Sequence, residues 1–277
     1  MESNRASASS PQPTLAVILM VLAAACLTGC TTLKSTEQTF HVGNTVLVAR
    51  VLQRGPSKPT MVNVHDDENT SVLAGRAVLR QSGGRLIELD HGGKRHVTFH
   101  LGGERYHFDP NRIFTEAGIR STLTRQGNYS EAAHAEVRRF ATQFIEAFAL
   151  DHEPVIIALH NTGKGGLSIN SYQPDRELNR AAAQVQESTQ RSAGDFFYAT
   201  DERFFLWLKA RDFNVMLQDN ATVPDDGSLS VYFARKGVPY LNVEASMDHL
   251  DQQIEMLSAV RQMLGELNIL PPVARGH

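Results

Sequence analysis

A short apolar run, Met61-Val62-Asn63-Val64, ends in His65, and Glu68 follows three residues on. The pair has two readings: a solvated polar turn in the company of Asp66 and Asp67, or half of a metal site. Imidazole and carboxylate are donors that a zinc ion accepts, and a strand-end residue and one a helical turn beyond can be turned onto one ion. A third ligand from a separate strand end would complete a catalytic site of two His and one Glu, with a position left for water. His160 closes the apolar run VIIAL (155–159) and precedes Asn161-Thr162-Gly163-Lys164-Gly165-Gly166. It is either a satisfied strand-end histidine or one that faces a cleft. Glu244 closes PYLNV (239–243), and a carboxylate there is either paired structurally or poised as a general base. Within FDPNRIF (108–114), Asn111 and Arg112 offer a directional amide and a planar fork, which suit a substrate ending in a free carboxylate.

In this order the set resembles the zinc carboxypeptidase superfamily, which includes the metallocarboxypeptidases and the succinylglutamate desuccinylase and aspartoacylase deacylases. PNRIF resembles the asparagine-arginine motif of that superfamily, ALHNT its third-ligand strand end and PYLNVEAS its catalytic-glutamate strand. The stretch DDGSLSVYFARKGVPYLNVE resembles the segment before that glutamate, so the likeness spans residues 60–245. It implies that His65, Glu68 and His160 hold Zn2+, that Asn111 and Arg112 bind the substrate carboxylate, and that Glu244 is the base. It also implies an oxyanion-stabilising arginine upstream of the Asn-Arg pair, with Arg105 the best-placed candidate and Arg95 the next. Tyr232 and Tyr240 are the positions to test for the mobile tyrosine of the carboxypeptidases. The residues Asp66 and Asp67 depart from the family pattern. His91, His96, His100 and His107 read as surface histidines of a hairpin, and GKGG (163–166) lacks the Gly-Lys-Ser/Thr context of a phosphate loop.

These residues need elements to position them. Strands are expected at 45–52, 60–64, 85–89, 96–101, 155–159, 213–218 and 239–244, and helices at 71–80, 131–150, 202–213 and 247–266. Strands alternating with helices predict an α/β domain, a mainly parallel or mixed central sheet flanked by helices, which the resemblance makes zinc-carboxypeptidase-like. Ligand sites of such sheets gather at strand ends, where His65, His160 and Glu244 fall. Residues 31–44 read as a polar linker and 45–270 as the catalytic domain.

The apolar stretch Leu15–Leu27 is too short for a comfortable membrane span and suits a signal h-region. It ends in Leu27-Thr28-Gly29-Cys30, which resembles the lipobox of bacterial lipoproteins. Residues 1–30 are therefore expected to be a signal, with Cys30 lipidated. Thr31 after the cysteine resembles the outer-membrane sorting pattern. Cys26 and Cys30 are the only cysteines, so the domain has no disulfide framework and no cysteine-ligated metal. A net charge of -3 gives no sign of a nucleic-acid partner. The expected protein is a zinc-dependent carboxypeptidase-like hydrolase of the cell envelope, lipid-anchored on the periplasmic side of the membrane. It would cleave a C-terminal peptide or amide bond of a substrate with a free carboxylate, with cell-wall peptides suggested by location. The alternatives are a deacylase of small N-acyl amino acids and a non-catalytic binding lipoprotein.

Overall fold

The computed structural model describes residues 32–271. The expected signal and Cys30 lie outside the described residues. Strands are β1 (Lys34–Val42), β2 (Thr45–Arg54), β3 (Thr60–Asn63), β4 (Gly84–Asp90), β5 (Val97–Leu101), β6 (Glu104–Phe108), β7 (Ile156–Thr162), β8 (Ala182–Gln186), β9 (Phe196–Ala199), β10 (Val215–Gln218) and β11 (Tyr240–Ser246). Helices are α1 (Asn69–Ser82), α2 (Glu116–Arg125), α3 (Glu131–Ala147), α4 (Glu202–Lys209), α5 (Leu229–Lys236) and α6 (Leu250–Glu266).

Nine strands form one sheet in the order β1-β2-β4-β3-β7-β11-β9-β10-β8. Its centre, β4-β3-β7-β11, is parallel throughout. Antiparallel pairings at β2–β4 and β11–β9 make the whole sheet mixed, as the sequence predicts. Every residue of β3 and β7 is buried, which is why Met61-Val62 and the run 155–159 are apolar without alternation. One face packs α1, α4 and α6 against Met61, Leu86, Ile157, Leu159, Leu241 and Val243. The other packs α2, α3 and α5 against Val62, Ile87, Ile156, Ala158 and Tyr240. Strand periodicity then sends His160 and Glu244, each an even number of residues beyond Ile156 and Tyr240, to the α2/α3/α5 face.

The linker expectation for residues 31–44 is corrected: residues 34–42 are β1, paired along its whole length with β2. As an edge strand it exposes all but Phe40 and Val42, so its composition imitates a linker. Those two residues fix it: the Phe40 ring meets Phe140 edge-on at 5.5 Å and lies 6.1 Å from Phe148. The hairpin β5–β6 stands apart as a two-stranded sheet. Helix starts follow local chemistry. Thr115, Ser130 and Ser228 accept from the backbone N–H of Gly118, Ala133 and Val231 to cap α2, α3 and α5.

Candidate metal centre

His65 lies two residues past the end of β3, His160 lies in β7, and Glu68 is the residue on which α1 starts. Glu68 does not cap that helix with its own side chain. The α1 start is satisfied in trans: Ser71 N–H donates to Asn161 Oδ1 at 2.7 Å, and Ser71 Oγ donates to Glu68 O at 2.8 Å. This leaves the Glu68 carboxylate free to turn toward the histidines. Its Oε1 lies 2.9 Å from His65 Nδ1 and its Oε2 2.9 Å from His160 Nδ1. The two Nδ1 atoms are 3.1 Å apart. All three residues are buried.

The donor set fits a zinc ion. Donors about 2.0–2.2 Å from a tetrahedral zinc stand on the order of 3.3 Å from one another. The separations of 2.9–3.1 Å fall a few tenths short of that, as when protons hold the donors together. Donor atoms of His65, Glu68 and His160 lie within 4.8 Å of one another, and no other such group of His, Cys, Asp and Glu occurs among the described residues. The hairpin histidines His96, His100 and His107 therefore form no second centre there.

A residue that sequence reasoning missed orients the first of these donors. His65 Nε2 donates to Asp109 Oδ1 at 2.8 Å, because a carboxylate can only accept. That bond fixes the ring and leaves Nδ1 facing the cluster. Asp109 sits just after β6, held by Thr122 Oγ1 on its N–H and by the Asn111 N–H on its Oδ1. Burial alone would lower the His65 pKa, but the hydrogen bonds to Asp109 and Glu68 outweigh it and carry it to about 9. Burial likewise opposes ionisation of Glu68, and the nearby histidines reverse it, holding the carboxylate well below the usual range. Without a cation the cluster is thus a proton-bridged ion pair, and an entering cation displaces a proton. Asp109→Ala is expected to weaken zinc affinity about 10–100-fold, measured by competition with a chromophoric chelator.

Two arginines exchange places. Arg105 does not reach the cluster. It is exposed in β6 opposite His100, while its neighbours Tyr106 and Phe108 turn into the core. Arg95, the second candidate, donates from Nη1 to Glu68 Oε1 at 2.7 Å. Its loop is tied down by Asp66, whose Oδ2 accepts the His91 and Gly93 N–H groups at 2.8 and 2.6 Å. The acidic residue that departs from the family pattern is therefore a loop clamp. Asp67 Oδ1 is buried and has no hydrogen-bond partner among the described residues.

Glu244 is in direct register with His160 across the β11–β7 pair. Its Oε2 accepts from Asn242 Nδ2 at 3.1 Å. Burial raises its pKa, helped by the charge of Glu68 and opposed by His160. Asn111 Nδ2 lies 3.4 Å from His160 Nε2, and its Oδ1 accepts the Leu229 N–H at 3.1 Å. Arg112 donates to Asn111 O at 2.7 Å and stands 3.6 Å from Asp226. Tyr240 is buried, and the Tyr232 hydroxyl donates to Asp151 Oδ2 at 3.0 Å, so neither borders the cluster. Asp109 and Arg112 line a cavity of about 440 Å³ whose wall includes Tyr172 and Tyr198.

No protein-family model matches the sequence, and no curated protein matches it. Similar solved structures include an aspartoacylase family protein from Mesorhizobium loti, at 14% identity and TM-score 0.43 over 90% of this chain and 70% of that one. Another is the tripeptide-bound cell shape determinant Csd4 from Helicobacter pylori, at 12% identity and TM-score 0.43 over 80% of this chain and 56% of that one. A third is the murein-tripeptide amidase MpaA from Escherichia coli O157, at 11% identity and TM-score 0.40 over 81% of this chain and 91% of that one.

Proposed function

We propose that the chain is a zinc-dependent hydrolase that cleaves a peptide or amide bond next to a free carboxylate. The observation that carries this reading is the buried donor set His65-Glu68-His160 with the Glu244 carboxyl in register beside it. Zinc held there would supply Lewis-acid polarisation of the scissile carbonyl and an acidified water. The protein's own residues do the rest. Arg112 and Asn111 fix the substrate carboxylate and so the position of the scissile bond. Glu244 takes the proton of the attacking water on its carboxylate and returns it to the leaving nitrogen. Arg95 holds one oxygen of Glu68 and so directs the other toward the ligand position.

A carboxypeptidase acting on cell-wall peptides is the reading preferred here, because Leu27-Thr28-Gly29-Cys30 points to a lipidated envelope protein. A deacylase of small N-acyl amino acids would use the same atoms, and a cavity of about 440 Å³ is of a size for one acylated residue. The test is metal analysis of the purified full chain, followed by mass-spectrometric screening of murein peptides and N-acyl amino acids. Stoichiometric zinc with trimming of a C-terminal residue is the expected result. Cleavage of N-acyl amino acids alone would select the deacylase, and a chain without stoichiometric metal would sink both.

A further inference from the structure

The two edges of the nine-stranded sheet are finished differently. At one end β8 has five residues, and its pairing with β10 shifts register between Leu217 and Gln218. A short strand and a bulge are common means of closing a sheet edge to further pairing. At the other end β1 runs nine residues in unbroken register with β2, with neither proline nor bulge. No strand but β2 pairs with it among the described residues. The turn decides which of its backbone groups face outward. Gly43, at φ +55°, and Asn44 form a two-residue loop, so Val42 and Thr45 close it as a hydrogen-bonded pair. Alternation then turns the N–H and C=O groups of Ser35, Glu37, Thr39 and His41 away from β2. Two of these carbonyls are met by side chains instead: Gln38 Nε2 donates to Thr39 O and Arg139 Nη2 to His41 O, each at 3.2 Å. The same edge borders a groove of about 490 Å³ against α3.

We propose that this edge pairs with β1 of a second copy of the chain, antiparallel about a two-fold axis at Gln38, so that one sheet continues across a homodimer. The residues of β1 select that register. With Gln38 opposite its counterpart, Ser35 faces His41 and Glu37 faces Thr39. All four outward residues then find partners, and about eight backbone hydrogen bonds form between the copies. Sliding one copy by two residues one way sets Glu37 against Glu37, and like charges directly opposite destabilise a pair of strands. Sliding it the other way leaves Ser35 without a partner. In the Gln38 register each Glu37 keeps its own cation, Arg50, at 3.6 Å. The two Gln38 amides face one another, each able to donate and accept. The antiparallel arrangement also carries Leu33, 41% exposed, to the end of the second copy where Val46, 53% exposed, stands in register with His41. Covering these apolar side chains adds to the backbone bonds. Three strands separate β1 from β7, so the interface leaves the metal centre open and the inference does not depend on the hydrolase reading.

The experiment uses the purified full chain. Sedimentation equilibrium is expected to show a reversible monomer–dimer equilibrium. Thr39→Pro removes an outward N–H and spares the β1–β2 ladder, so it is expected to weaken dimerisation by about tenfold or more with metal content unchanged. Gln38→Cys is expected to form a disulfide between copies on mild oxidation, because residues facing each other at a non-hydrogen-bonded position have Cα atoms about 4.5 Å apart. Thr36→Cys lies roughly 13 Å along the strand from its counterpart and is expected to cross-link no more than wild type, whose Cys26 and Cys30 set the background. A chain that stays monomeric overturns the inference. So does a dimer that neither responds to Thr39→Pro nor cross-links at Gln38→Cys, since it must form through another face. Slow amide hydrogen exchange at Ser35, Glu37, Thr39 and His41 in the monomer also overturns it, because another part of the same chain then covers the edge.

Discussion

Replacing Glu244 with Gln is expected to cut kcat/KM by about two to four orders of magnitude and, at the same time, to raise the melting temperature of the zinc-stripped protein. The first effect follows from the proton that Glu244, as the proposed base, would accept and return. The second follows from its burial. Its pKa in the fold lies above the ordinary value of 4.5, because desolvation and the neighbouring Glu68 charge disfavour the ionised form. Below the ordinary value the carboxyl is protonated both folded and unfolded, and its ionisation costs nothing. As pH rises toward the raised value the unfolded chain ionises first, so stability falls, and above it the whole cost persists. Gln carries no such cost and keeps an oxygen for Asn242 Nδ2. The advantage of the variant should therefore be present at neutral pH and vanish below about pH 4.5, which melts in chelator across that range would show. Activity retained by Glu244→Gln would remove this residue from the chemistry, and a variant less stable at neutral pH would contradict the burial argument.

Gly118→Ala is expected to damage both the fold and carboxylate binding without touching a ligand. A Cβ at this position in α2 would stand 2.8 Å from Arg112 O and from Gly227 N, and closer still to Gly227 Cα. All of these are backbone atoms and cannot swing aside. The same contact carries the Phe114 N–H to Gly227 O at 2.9 Å and the Leu229 N–H to Asn111 Oδ1 at 3.1 Å. The methyl group therefore pushes the Asn111-Arg112 loop away from the start of α5. A loss of about 1–3 kcal/mol, or more if the backbone must move, is expected from denaturant unfolding. A rise in KM for carboxylate-ended substrates should accompany it. Metal affinity should fall less than in Asp109→Ala, because the displaced loop reaches the centre only through the Asn111 contacts to Asp109 and His160. A variant with wild-type stability and KM would show that the loops separate at no cost.

Much of the architecture could be read from apolar runs, because β3, β7 and β11 are central and wholly or largely covered. What escaped is what periodicity does not mark. β1 is an exposed edge, β9 is four residues long, and α2 is a short helix with a narrow buried face. The donor residues His65, Glu68 and His160 come together in space from positions the motifs suggested, with Glu244 in register beside them. Their supports did not carry the same signal. Asp109 stands in the quoted FDPNRIF, two residues before Asn111, but its partner His65 is 44 residues away and nothing local announces the pairing. The sequence ranks Arg105 ahead of Arg95, and the structure reverses that order. Which of them arrives depends on strand alternation in β6 and on the Asp66 clamp, both tertiary facts.

The amide pair beneath the centre has a consequence for how the protein is made. Gln253 Nε2, in α6, donates to His160 O at 3.0 Å and Val243 O at 3.2 Å, and its Oε1 accepts from Asn161 Nδ2 at 3.0 Å. Asn161 in turn holds the N–H that starts α1. Every residue of the donor set has been synthesised by residue 160, yet the Asn161 amide gains one of its acceptors, and His160 O its side-chain donor, only from residue 253. A nascent chain still short of α6 lacks the Gln253 brace and the helix that covers this face of the sheet. Metal uptake should thus wait for chain completion, and the order of translation itself would keep an unfinished hydrolase inert.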